Sequence, residues 1–203
     1  MLKVRKNVAL APFTTFHIGG KAQHFIETSG ALELAEAFEY AEAHTLPVRV
    51  LGGGSNVIFP DEGFPGLVIR VVDGGIQVTG EKIACGAGVA LYAVVDAAAT
   101  AGLAGIERLA GIPGSFGGAI RGNAGAFGTE IGDVTAAVKV FVQATGMIKE
   151  YQHPDCAFAY RTSVFKQNPN LVILSAELRL APGRTDELKR VIEETVAKRE
   201  AKH

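Results

Sequence analysis

Seven glycines fall among the eighteen residues from Gly111 to Gly128, GIPGSFGGAIRGNAGAFG, where only Arg121 and Asn123 are strongly polar. Glycine loses the most backbone freedom on folding, so such a run belongs where something must lie directly against bare main chain. Pro113 can open a short helical turn, because the first helical position needs no N–H. The N–H groups around Gly111, Gly114 and Ser115 would then point free, toward an anion or the polar edge of a ring. A glycine-rich turn packed inside the protein is the other reading of the same residues. A second run, Gly52-Gly53-Gly54-Ser55-Asn56, follows Val48-Arg49-Val50-Leu51, which reads as a short strand. Its glycines let N–H groups fold inward, and Ser55 and Asn56 add side-chain donors. It is not a P-loop, because no Gly-Lys-Ser/Thr is present. It also lacks the third glycine and the following helix of a dinucleotide fingerprint, and Gly86-x-Gly88 fails in the same way. Either run alone is a weak signal. Together they could hold a long, bent, diphosphate-bearing cofactor.

Tyr160-Arg161 lies in 156–166, CAFAYRTSVFK, which reads as a strand of apolar and small residues. A guanidinium in such surroundings needs an anionic partner. It is either an electrophile aimed at a carboxylate or enolate, or half of a structural ion pair with Glu107 or Glu130. Ser163 and Lys166 read as surface or structural residues. The five histidines are dispersed, and His153-Pro154-Asp155-Cys156 suggests a turn more than a metal site. No Ser-His-Asp or Cys-His arrangement can be argued. Cys85 and Cys156 have no CxxC spacing, and two buried thiols in a reducing compartment is the expectation.

The elements that must position these residues can be read in outline. The chain has 203 residues, 48% of them apolar, with a net charge of −1 and scattered basic side chains. That excludes a phosphate-tracking surface, so nucleic acid is not an expected partner. No apolar run approaches the roughly 20 residues that span a bilayer. The N-terminus, MLKVRKNVALAPF, has no sustained apolar core, so no leader is expected. Short extended pieces are expected near Gly19-Gly20 and in HFIET. Ser29 is placed to cap a helix over 31–44, with Leu32, Ala35, Phe38 and Ala41 at helical spacing and Pro47 beyond it. Strands follow at 48–51 and 67–72, so that 24–72 reads as a small α/β lobe. The composition shifts near Asp73-Gly74-Gly75. Two short strands over 76–88 and an alanine-rich helix over 90–101, closed by Gly102, come next. A hairpin spans 134–152 around Thr145-Gly146, a strand covers 171–180, and a charged helix runs from Thr185 to Lys202.

With these pieces in place the chain resembles the UDP-N-acetylenolpyruvylglucosamine reductases (the MurB family), flavoenzymes of peptidoglycan precursor synthesis. The resemblance covers almost the whole chain: TTFHIGG over 14–20, LGGGSN over 51–56, GIPGSFGGA over 111–119, GNAGAFG over 122–128, AYRTSVFK over 159–166 and VILSAELRL over 172–180. It implies an α+β fold, the two-lobed FAD-binding domain of the vanillyl-alcohol-oxidase (PCMH) type. The lobes would be 1–72 and 73–183, with 184–203 a helix leading toward a third lobe. It implies noncovalent FAD held by Gly52, Gly53, Gly54, Ser55, Asn56, Gly111, Ile112, Pro113, Gly114, Ser115, Gly118, Ala119, Asn123, Gly125, Ala126, Gly128 and Ile173. It implies NADPH as reductant, a UDP-sugar substrate and a cytoplasmic setting. Arg161 matches the family arginine that stabilises the developing enolate, and Tyr160 would be its neighbour at the substrate mouth.

The resemblance also implies a third lobe carrying a serine proton donor and an assisting glutamate. Neither can be assigned to a residue here. His17 stands where the family often has Arg or Lys. The expectation is an FAD-binding protein with little or no full activity as the chain stands, unless a separate chain supplies that lobe, since losing a proton donor removes about 10²–10⁴-fold. A flavin-binding module without turnover and a nucleotide-sugar-binding domain without flavin are the competing readings.

Overall fold

The computed structural model describes residues 2–72 and 74–201. The expected change at Asp73 and the ends of the last helix at Lys202 and His203 therefore lie outside the described residues.

A first sheet holds β1 (Arg5–Ala9), β2 (Lys21–Thr28), β3 (Val48–Leu51) and β4 (Phe64–Val71) in the order β1-β2-β4-β3. β4 lies between two parallel neighbours, and its Leu67, Val68 and Ile69 are fully buried. A strand covered on both faces reads as a continuous apolar run, which explains LVIRVV. Helix α1 (Ala31–Ala43) lays Leu34, Ala37 and Ala41 on one face. Leu10, Phe25, Leu51 and Phe59 fill the other face.

The second sheet is antiparallel, in the order β11-β10-β12-β6-β5: β5 (Ile76–Thr79), β6 (Lys82–Gly86), β10 (Thr135–Val142), β11 (Met147–Gln152) and β12 (Leu171–Arg179). Helix α2 (Leu91–Thr100) packs Val94, Val95 and Ala98 into its core, and Gly102, at φ +67°, ends that helix in the left-handed conformation that suits glycine. Between α2 and β10 run the two-residue β7 (Leu103–Ala104), helix α3 (Phe116–Gly122) and the small hairpin β8 (Gly125–Ala126)–β9 (Thr129–Glu130). Helix α4 (Val164–Gln167) precedes β12, and β13 (Ala181–Pro182) pairs with β7. Helix α5 (Thr185–Glu200) buries Leu188 and Ile192. The two sheets share a core. Phe141 and Val172 of the second cluster with Ile26, Leu34 and Leu67 of the first, and Phe38 of α1 stacks on Phe141 at 5.7 Å.

Several expectations are corrected. Residues 156–166 are not a strand. Pro154 opens a 3₁₀ turn over His153–Cys156, Ala157 takes φ +47°, Ala159 and Thr162 form a tight bridge, and α4 begins one residue after Ser163. The alternation of buried Cys156, Ser163 and Phe165 comes from a folded loop pinned at three points. Pro113 is not the first helical residue, because α3 starts at Phe116 with Ser115 as its cap. Ser29 does not cap α1 as an acceptor. Its N–H and hydroxyl both donate to Glu33 Oε2, at 2.7 and 2.9 Å. The first strand, β1, had no sequence signal, since only Val8 among its residues is a strand-forming apolar side chain.

Candidate functional site: two facing glycine loops

The loop after β3 and the loop before α3 meet backbone to backbone. A Cβ on Gly53 would lie 2.6 Å from Ser115 N and 2.7 Å from Gly114 Cα. One on Gly52 would run into Ser115 Oγ, and one on Gly54, at φ +70°, into the Phe13 carbonyl. Only glycine fits this contact, so the composition of 52–54 follows from close approach as well as from φ. Gly114, at φ +117°, faces Ser55 across the same junction, where a Cβ would stand 3.2 Å from Ser55 Oγ. Among the described residues, no carbonyl accepts from the N–H groups of Gly53, Gly54, Ser55, Asn56, Gly114 or Ser115. Main-chain donors left open in this way have the geometry that can cradle an anion.

Each loop is held from behind. Thr15 N donates to Gly54 O at 3.1 Å, and Thr15 Oγ donates to Ser55 Oγ at 2.7 Å. Thr14, nearly buried, fixes that turn through its hydroxyl, which reaches the Ala11 and Ile18 carbonyls. The second loop is stitched to the chain entering α2: Leu91 N donates to Gly114 O (3.0 Å), Phe116 N to Val89 O (2.7 Å) and Gly117 N to Ala87 O (2.9 Å). Ser115 Oγ accepts from Gly118 N at 3.3 Å, with Ala119 buried behind it. Ile112 and Pro113 form the approach to this loop, half-buried and exposed respectively.

Asn123 ends α3 in the left-handed conformation, 1% exposed, and its amide is fully engaged. Nδ2 donates to Glu130 Oε2 (2.6 Å) and to Ala159 O (3.0 Å), and Oδ1 accepts from Gly132 N (2.9 Å). It therefore knots α3, the β8–β9 hairpin of Gly125, Ala126 and Gly128, and the Tyr160-Arg161 turn into one unit. Ser163 Oγ, fully buried, adds a 2.7 Å bond to Arg121 O. Ile173 of β12 is 7% exposed within the large core beneath.

Arg161 is exposed, at φ +56°, and its Nη2 donates to Gly125 O at 3.0 Å while Lys166 Nζ donates to its own carbonyl at 2.8 Å. It pairs with neither acid considered for it. Glu107 accepts from Gly105 N at 2.7 Å, and Glu130 holds Asn123. The guanidinium sits on the hairpin with no carboxylate against it among the described residues, beside Tyr160, which is 81% exposed. Of the seven non-glycine residues with positive φ among the described residues, four (Asn123, Phe127, Ala157 and Arg161) gather in this unit. Such conformations persist where the surroundings impose them, and they concentrate at ligand sites.

Two residues had no sequence signal for a site role. Thr15 sits in the TTFHIGG motif, but nothing in its type pointed to Ser55. Arg199, on the charged α5, reaches the second loop through Nε to Ala110 O at 2.9 Å. Elsewhere, the His153 ring Nδ1 is 2.9 Å from Thr135 O, and Cys85 and Cys156 are free buried thiols. No helix is long and apolar enough to cross a membrane among the described residues.

Two lobes joined through a shared apolar cluster, with bare-backbone loops meeting where they adjoin, define the fold of the FAD-binding domains. The family model described as FAD binding domain matches residues 22–152. The crystal structure of 6-hydroxy-D-nicotine oxidase from Arthrobacter nicotinovorans superposes with a TM-score of 0.69 at 21% identity, over 90% of this chain and 42% of that one, which is a likeness of fold. The crystal structure of UDP-N-acetylenolpyruvylglucosamine reductase (MurB) from Thermus caldophilus gives a TM-score of 0.83 at 35% identity, over 98% of this chain and 70% of that chain. The UDP-N-acetylenolpyruvoylglucosamine reductase of Solibacter usitatus is 40% identical over 189 residues, 93% of this chain and 60% of that protein. The chain belongs to the UDP-N-acetylenolpyruvylglucosamine reductase family and carries its FAD-binding domain. It spans about 60% of the length of that curated relative.

Proposed function

We propose that the chain holds FAD noncovalently across the two glycine loops and uses it in the NADPH-dependent reduction of the enolpyruvyl group of UDP-N-acetylglucosamine enolpyruvate, a cytoplasmic step of peptidoglycan precursor synthesis. The observation that carries this reading is the contact of Gly53 with Gly114, with open N–H groups on both sides of the junction. A pyrophosphate suits those groups, because their donors are preorganised and no acidic side chain lines either loop. Bound FAD supplies hydride transfer to the enolpyruvyl double bond.

The residues around it then divide the work. The backbone of Gly52, Gly53, Gly54, Ser55 and Asn56 binds the pyrophosphate, with Ser55 oriented by Thr15. Gly111, Ile112, Pro113, Gly114, Ser115, Gly118 and Ala119 line the cofactor from the other side. Gly125, Ala126 and Gly128, set by Asn123, would form the wall for the ring system, with Ile173 among the residues that would hold it. Arg161 faces the carboxylate of the substrate and stabilises the negative charge that develops next to it as hydride arrives, while Tyr160 borders the mouth. Residues 1–72 and 73–183 serve in this reading as the two lobes that grip the cofactor, with 184–203 the helix that leads toward a third lobe. No described residue is assigned the proton donor.

Two measurements test this. Purified protein should show flavin absorbance in the visible, and apoprotein should take up added FAD. Colourless protein that binds no FAD would end the reading. Oxidation of NADPH that depends on the enolpyruvyl sugar then distinguishes turnover from cofactor binding alone.

A further inference from the structure

Arg199 is a cation that the proposed function leaves unused. Its side chain runs along Gly111, where a Cβ would come within 2.8 Å of Arg199 Cδ. Nε is anchored on Ala110 O at 2.9 Å, and Cζ lies 5.4 Å from the centroid of the Phe127 ring. Nη2 is enclosed by protein and has no acceptor among the described residues. Phe127 forms the turn of the β8–β9 hairpin with Gly128. The Gly125 carbonyl, two residues earlier, takes the 3.0 Å bond from Arg161 Nη2. Two guanidiniums therefore grip one hairpin. Among the described residues neither is in an ion pair.

Like charges on one small element repel, and enclosure raises the cost of keeping the second one ionised. The pKa of Arg199 is lowered accordingly, by burial first and by the charge of Arg161 second. An anion reverses both penalties. Guanidinium is the side chain best matched to a planar oxyanion, and Arg161 is open to solvent on the side bordered by the exposed Tyr160.

We propose that Arg161 and Arg199 together form an oxyanion site at the β8–β9 hairpin, with Arg161 making contact and Arg199 supplying a poorly screened second positive charge. The ligand is a small carboxylate carried by the substrate. This rests on the flavin reading, since the ring system bound against the hairpin is what brings such a carboxylate there. The cofactor's own phosphate is the other source of the same chemistry.

The test titrates sodium oxalate into the FAD-loaded protein, read as a perturbation of the flavin spectrum, alongside FAD titration of the apoprotein. Wild type, Arg199→Met, Arg199→Lys and Arg161→Met are compared, with circular dichroism confirming that each is folded. The site predicts oxalate binding roughly tenfold weaker in Arg199→Met, the size of one partly screened charge. Arg199→Lys keeps most of the affinity, Arg161→Met loses it, and FAD affinity is little changed throughout. Equal oxalate affinity in wild type and Arg199→Met overturns the proposal. So does a parallel loss of FAD affinity in both methionine variants with no oxalate response, because the pair then holds the cofactor's phosphate. If no FAD is taken up, the flavin reading has failed separately. The anion site is then judged by the rise in melting temperature with oxalate, present in wild type and absent in Arg199→Met if the site exists.

Discussion

Two glycine-rich loops touch at Gly53 and Gly114, and they are held in opposite ways. The loop 52–56 hangs from the end of one strand, and its rear support is Thr15, which reaches both Gly54 O and Ser55 Oγ. The segment 111–128 is stitched to the entry of α2, capped at both ends of α3 and knotted at Asn123. The first loop thus offers bare donors and little framework. The second offers framework, and through it the placement of Arg161. Glycine answers steric contact in both, Gly53 against Gly114 in the first and Gly117 against Ala87 in the second, and the second also uses it in turns such as Gly128 at φ +81°.

The largest effect is expected from Gly54→Ala. Its Cβ meets the Phe13 carbonyl, and the left-handed conformation adds about 1–2 kcal/mol of strain to an overpacking cost of about 1–3 kcal/mol. Urea unfolding should show a loss of about 3 kcal/mol, with FAD uptake abolished. Asn123→Ala should come next. It leaves Gly132 N without an acceptor and removes the donor shared by Glu130 and the Ala159 carbonyl, worth about 2–3 kcal/mol. If the two loops are as distinct as described, this variant weakens FAD binding and misplaces Arg161 together, whereas Gly54→Ala spares the Arg161 turn in a hydrogen-exchange profile. Thr15→Val removes one exposed hydroxyl bond, about 0.5–1 kcal/mol, and should reduce FAD affinity several-fold with little change in melting temperature. An unchanged affinity there would show that Ser55 needs no positioning.

Near neutral pH the pH dependence is expected to be the smallest effect, and where it appears it reports on the frame, not the loops. Burial pushes the thiol of Cys85 up to about 12, and burial with the charge of Asp155 pushes Cys156 up to about 11, from an ordinary value of 9.0. Below that ordinary value the thiols keep their protons in both states and contribute no slope. Above it the unfolded chain loses protons first, so stability falls with rising pH, by at most about 1.4 kcal/mol per unit per thiol. Neither thiol should react with iodoacetamide in the native protein at neutral pH. On the acid side, burial first, then Lys6 and His44, lower the pKa of His24, so stability should also decline as pH drops below 6.5.

Much of this frame could be read from the chain. α1, α2, α5, the 134–152 hairpin and the buried strands declared themselves through periodicity and turn residues, and the glycine runs announced a meeting with bare backbone. What stayed hidden depended on contacts distant in sequence. Residues 156–166 alternate as a strand would, yet Ala157 and Arg161 at positive φ and the Ser163 bond to Arg121 fold them into a loop. Asn123 looked like a ligand donor, while its amide holds the site together. Arg199 on a charged surface helix gave no hint that it reaches Ala110. Propensity is local, and these roles are fixed by tertiary neighbours.

The central claim, that one flavin nucleotide bridges the two loops, is tested most directly by titrating FAD into apoprotein and into Gly53→Ala while following quenching of flavin fluorescence. Because a Cβ at that position lies 2.6 Å from Ser115 N, the loops must separate. The account predicts saturable uptake of a single FAD by the wild-type chain and none by the variant at the same concentrations, with both folded by circular dichroism. Equal uptake by both would contradict it.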